Sequence, residues 1–246
     1  MPLDLALDRV LLDVPDEGRA RAAYTRLLGT GPGAEPRVSN GAVQLGLPDW
    51  APRQGLVFSA QDYDEAVRLL TRRGLPLEPV DAAADGGRRT AAGVVNGLLL
   101  GVVEGSQAPA ASGELALDTG GGVRAVDHVV VSTTHLDRIV ATFGGRLGLD
   151  LRLEQRIVKV AKQLFFRCQN AVVEVLVKPG FPGKGDSIWG IAWRVDDIEA
   201  TRARLVAGGA EVSEIREGMK PGTSVATVKD RDLATPTLLI AHRAKP

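Results

Sequence analysis

The sequence predicts an α+β chain of tandem βαβββ modules, with mixed sheets and helices packed on one face. Two observations carry this. First, the chain repeats itself. GLVFSAQDYDEAVRLLTRRGLPLEP starts at Gly55 and GIAWRVDDIEATRARLVAGGAEVSE at Gly190, and the offset of 190 − 55 = 135 holds without a gap to Gly74 and Gly209. LDRVLLDVP from Leu7 matches VDHVVVSTT from Val126, and NGAVQLG from Asn40 matches NAVVEVL from Asn170. Three matches in the same order mark a duplication. Second, both copies of the longest match read alike: apolar strand, acidic cap, helix with apolar residues at helical spacing, glycine stop, then another strand.

The elements follow in order. Residues 1–104 form a degenerate first half, 105–122 a linker rich in Gly, Ala, Ser and Pro, and 123–246 a second half. The second half is the clearer. It predicts a strand at 126–132, a helix at 135–147, strands near 150–154, 160–168 and 170–177, and a strand at 188–195. A helix at 197–208 and strands near 211–217, 223–229 and 236–242 complete it. Thr134 supplies a hydroxyl cap for the first helix and Gly148 a stop.

Composition narrows the function. Lys+Arg and Asp+Glu are both 30, which excludes the basic footprint of a nucleic-acid binder. Apolar runs such as 94–103 are too short to span a bilayer, and no charged-then-apolar leader opens the chain. The single cysteine, Cys168, rules out an internal disulfide framework and a multi-thiolate metal site, and in LFFRC it reads as packing. The expectation is a cytoplasmic protein, monomer or homodimer, that takes a small molecule and neither nucleic acid nor membrane.

The repeat, with DHVVVS, FGGRLGLDL, NAVVEVLV, GIAWRVDDIEATRARL and KDRDLATPTLLI, resembles the vicinal-oxygen-chelate superfamily of glyoxalases, extradiol dioxygenases and bleomycin-resistance proteins. The resemblance implies paired modules whose curved sheets close around a cavity, with helices outside. It also implies ligand positions. The first-strand histidine falls on His128, the mid-module glutamate on Glu174, the second histidine on Gly190 and the terminal glutamate on Thr237. In the first half these positions hold Arg9, Gln44, Gly55 and Gly97. Every pairing of modules then leaves at most two strong ligands, whereas a catalytic site wants about three. The expectation is no cofactor, and at most a weak divalent site through His128 and Glu174 completed by water or ligand.

Strand alternation extends the candidate surface. If Gly190 faces the cavity, so do Ala192 and Arg194, while Trp189, Ile191 and Trp193 pack against helices. Thr237 with Leu239, and His128 with Val130 and Ser132, are expected on the inner surface. The basic segments add Lys162 and Lys220 as candidate substrate-binding cations, beside Arg194, for a carboxylate, enolate or phosphate. Glu174 sits among valines and leucine, and a buried carboxylate must be paired, shifted in pKa, or open to a cavity. Two functions compete. One is a metal-independent isomerase- or lyase-type enzyme acting on a carbonyl or polyketide-like molecule, with Glu174 and His128 catalytic. The other is a non-catalytic protein that sequesters an antibiotic or metabolite.

Overall fold

The computed structural model describes residues 3–105, 121–158, 161–178 and 185–243, so Lys159 and most of the linker lie outside the described residues. The first half forms a seven-stranded sheet. Its strands are β1 (Ala6–Leu12), β2 (Arg37–Val38), β3 (Gly41–Leu45), β4 (Gly55–Ala60), β5 (Glu78–Val80), β6 (Thr90–Val95) and β7 (Leu98–Glu104). The second forms an eight-stranded sheet of β8 (Val123–Thr133), β9 (Asp150–Val158), β10 (Ala161–Arg167), β11 (Val172–Val177), β12 (Ser187–Val195), β13 (Arg216–Glu217), β14 (Thr223–Val228) and β15 (Thr237–His242). The spatial orders are β2-β3-β1-β4-β7-β6-β5 and β13-β14-β15-β12-β8-β11-β10-β9.

Each sheet is built about a central antiparallel pair, β1 with β4 and β8 with β12. Every member of those pairs is flanked on its other side by a parallel strand: β3, β7, β11 and β15. Each half therefore contains two strand-helix-strand units that meet back to back. The helices are α1 (Glu17–Leu28), α2 (Tyr63–Arg72), α3 (Leu136–Ile139, continuing π-wound through Val140–Arg146) and α4 (Ile198–Ala207). The duplicated acidic caps behave as the sequence implies. Asp62 accepts from Glu65 N and Asp197 from Ala200 N, and Gly74 and Gly209 both take φ 83°.

Three local expectations change. The helix beginning α3 is entered through His135, and the hydroxyl that accepts the His135 N–H is Thr133, not Thr134. The strand expected at 211–217 reduces to a bridge at Val212 and the two residues of β13. Trp189 does not pack against helices. It falls where the β8–β12 register shifts and is 41% exposed, because a bulged residue leaves the pleat.

The main hydrophobic core runs through both halves on the helix sides of the sheets. Tyr24 of α1 meets Trp193 of β12 edge-on at 6.2 Å, and its hydroxyl donates to the Leu233 carbonyl. Arg204 of α4 donates to the carbonyls of Arg26, Leu27 and Gly121, closing the C-terminal turn of α1 from the other half. The opposite sheet faces differ. In the first half that face is filled by Leu11, Ala51, Val57, Ala92, Leu99 and Val103. In the second, among the described residues, Ala192, Val225 and Ile240 form a small buried apolar cluster there, and polar side chains share the remaining face with apolar ones such as Val130 and Phe165.

Candidate functional site

The polar line crosses the sheet of the second half on its inner face. In β8 the register runs from Ala192↔His128 directly to Trp193↔Val126, so Asp127 is an extra, bulged residue. A regular strand would send neighbours to opposite faces. The bulge lets Asp127 and His128 share one. Asp127 Oδ1 lies 2.9 Å from His128 Nδ1, and its Oδ2 lies 2.7 Å from His242 Nε2 at the end of β15. On the other side, His128 Nε2 lies 3.3 Å from Glu174 Oε2 on β11. Glu174 Oε1 accepts from the Gln163 amide on β10, and Gln163 Oε1 accepts from Gln155 Nε2 on β9 at 2.8 Å.

This geometry fixes protons. Burial pushes the Asp127 carboxyl up, but hydrogen bonds from His128 and His242 outweigh it and hold it at about 2. Asp127 is thus a carboxylate that only accepts, so His128 carries a proton on Nδ1. Its Nε2 is the ring nitrogen that faces Glu174 Oε2. The side chains are 16% and 10% exposed, which leaves them reachable from the inner face yet largely out of water. Glu174 pairs across the sheet with Phe165 and Val130, both apolar.

The residues present do not fit a catalytic metal. His128 and Glu174 supply two donors, one edge of a coordination shell. A side chain at Gly190 is hindered: an added Cβ would lie 3.0 Å from the Pro236 carbonyl oxygen. Thr237 pairs with Ile191 and Val228, which lie in the main core, so it faces the helices and its hydroxyl donates to the Thr235 carbonyl. The expected inner-surface placement of Thr237 and Leu239 is therefore corrected by one residue. Leu238 and Ile240 share the face of Ala192. In the first half, a Cβ at Gly55 would sit 2.1 Å from the Leu99 carbonyl oxygen, and Gly97 takes φ 97° in a turn. Among the described residues, no three His, Cys, Asp or Glu side chains are grouped to hold an ion.

Arg9, at the position of His128, plugs the first half. It bonds Asp8 at 2.7 Å and Asp85 at 2.6 Å, and Thr90 also donates to Asp85. All four groups lie within the fold: Asp8, Arg9 and Thr90 are buried and Asp85 is largely so. Asp8 is likewise the bulged residue of its strand, since the register there jumps from Leu7↔Phe58 to Arg9↔Val57.

The remaining expected site residues divide. Ala192 stands opposite His128, and its methyl group leaves the imidazole room. Arg194 shares that face, lies exposed, and has no ion-pair partner among the described residues. Lys162 does not belong to the site. It pairs with Val177 and Arg156 on the face opposite Gln163 and is held by Glu154 at 2.6 Å. Lys220 lies exposed in the turn before β14, where its carbonyl accepts from Thr223. Sequence reasoning missed Asp127, His242, Gln163 and Gln155. The aspartate repeated before Arg9 and His128 was the one available signal. The other three depend on strand register. Burial raises the Cys168 thiol, which donates to the Ala171 carbonyl, as its packing role requires.

Comparison with known proteins agrees with this fold. Residues 127–227 match the family model of the Glyoxalase/Bleomycin resistance protein/Dioxygenase superfamily. No curated protein matches the sequence. A Mn(II)-bound glyoxalase from Novosphingobium aromaticivorans superposes with a TM-score of 0.72 at 17% identity, over 98% of this chain and 83% of that one. BphC, a halotolerant catechol dioxygenase, gives 0.72 at 11% identity, over 98% and 87%. A xylose isomerase-like TIM barrel/4-hydroxyphenylpyruvate dioxygenase fusion protein gives 0.69 at 14% identity, and this chain spans 51% of its length. The chain has the vicinal-oxygen-chelate fold, in two tandem halves with one sheet each. Among the described residues, no helix is long and apolar enough to cross a membrane.

Proposed function

We propose that this tandem vicinal-oxygen-chelate protein is an isomerase- or lyase-type enzyme that moves a proton on a small carbonyl or polyketide-like molecule without a metal. One observation carries the reading: the 3.3 Å approach of His128 Nε2 to Glu174 Oε2 on the inner face. Glu174 takes a proton from carbon beside a carbonyl. His128 donates to the oxygen on which charge develops. Exposed Arg194, two residues along β12 from Ala192, the partner of His128, receives an anionic group of the substrate. Lys220 at the neighbouring turn adds a second cation. In this reading residues 123–246 carry the site, residues 1–104 are its degenerate partner and 105–122 join them. The protein works in the cytoplasm as a monomer or homodimer.

The competing reading is a binding protein that sequesters an antibiotic or metabolite, as the bleomycin-resistance name in the matching family suggests. One experiment separates the two. Small 2-oxo and 1,3-dicarbonyl acids are incubated with the protein in D2O, and loss of the C–H signal is followed by NMR. The enzyme reading expects protein-dependent exchange that Glu174→Gln removes while thermal stabilisation by the same compound persists. A compound that stabilises both proteins equally, with no exchange in either, establishes the binding reading instead.

A further inference from the structure

Asp127 and His242 have no part in the reading above, yet Asp127 is hydrogen-bonded to His128, and His242 to Asp127. The β8 bulge exists at a cost to the ladder, since Asp127 pairs with nothing across β12. What the bulge achieves is the placement of a carboxylate beside His128 on the inner face. The first half repeats the device: Asp8 is bulged at the matching position, and its Oδ2 holds Arg9 Nη1 at 2.7 Å. An aspartate beside the ligand-position side chain thus persists even where the ring is gone. The two copies then diverge. Asp8 also takes Arg88 and lies within a closed ionic cluster. Asp127 instead spends its second oxygen on His242, which reaches over from β15 and is 33% exposed.

We infer that Asp127 is a positioning residue for His128, and that His242 is the anchor that keeps Asp127 in place. Together they hold one proton on His128 Nδ1 and aim Nε2 at Glu174. Proton exchange with Glu174 or a ligand is thereby confined to Nε2. The inference rests on the proposed proton-transfer role of His128 and Glu174, but its first test needs no turnover.

That test is ¹⁵N-detected NMR of the histidine rings, with His135→Gln used to simplify the spectrum. In the wild-type chain the His128 ring is expected to show a proton on Nδ1. Asp127→Asn turns an acceptor into a mixed group, and the ring is expected to move toward the Nε2–H form. His242→Leu, at the exposed end of a strand, is expected to broaden or partly shift the same signal. His242→Gln, which keeps an N–H donor, is expected to restore it. If an exchanging substrate is found, Asp127→Asn should lower the exchange rate about 100-fold with ligand affinity little changed. His128 resonances that stay unchanged in folded Asp127→Asn and in His242→Leu would overturn the inference. Loss of exchange activity in the wild-type protein, with the ring shifts as described, would sink only the enzymatic reading.

Discussion

Asn40 and Asn170 exchange hydrogen bonds across the duplication: Asn40 Nδ2 donates to the Asn170 carbonyl at 2.7 Å, and Asn170 Nδ2 donates to the Asn40 carbonyl at 2.9 Å. Each also brackets the bulged first strand of the other half. Asn170 bonds both the N–H and the carbonyl of Leu7, and Asn40 those of Val126. The repeated asparagines therefore lie on the pseudo-two-fold axis that relates the halves. Their amides satisfy backbone groups of β1 and β8 that the sheets leave unpaired.

Asn170→Ala strands the N–H and carbonyl of Leu7, which is fully buried. The expected loss is about 2–4 kcal/mol by urea titration. Because the two amides act as one unit, Asn40→Ala with Asn170→Ala should cost less than the sum of the single changes.

Arg9→Met leaves Asp8 and Asp85 facing an apolar side chain inside the first half. Removing one member of a buried ionic cluster typically costs about 3–5 kcal/mol. Arg9→Met combined with Asp85→Leu should recover a large part of that stability. Circular dichroism melts of the wild-type protein and the two variants decide it.

Gly55→Ala should destabilise more than Gly190→Ala. The first drives a methyl group to 2.1 Å from a backbone oxygen, the second to 3.0 Å. Backbone on both sides gives little, so losses of about 3 and about 1 kcal/mol are expected. Gly190→His should accordingly gain no zinc affinity when titrated against a chromogenic chelator.

Acid stability should depend on Asp127. Its carboxyl is lowered from 3.8 to about 2 in the fold. A depressed carboxyl adds stability above its unfolded value and loses it as pH falls through the folded one. The contribution is therefore full above about pH 4 and gone near pH 2. With 19% of the side chain exposed, screening leaves roughly 1–2 kcal/mol. Asp127→Asn should flatten the stability curve, measured by denaturant titration, across that window.

Much of this architecture was legible in the chain. The offset from Gly55 to Gly190 and the paired acidic caps locate both helix-strand units of the later half-repeats, because periodicity and caps are local. Glu174 was legible too, as a carboxylate in an apolar strand. What escaped depended on register. Thr237 shifts by one residue at the turn around Ala234, which takes φ 57°, and a one-residue slip reverses a strand's faces. Lys162 likewise falls on the wrong side of β10. His242 lies 115 residues from the aspartate it holds, and only the strand order brings them together.

Trp193 is wholly enclosed, its indole N–H has no acceptor among the described residues, and its ring abuts Tyr24 from the opposite half. The chain thus contains its own optical gauge of the seam. With Trp50→Phe and Trp189→Phe silencing the other two indoles, emission from Trp193 would report parting of the halves. A red shift preceding loss of β-sheet ellipticity would mean that they separate before either unfolds.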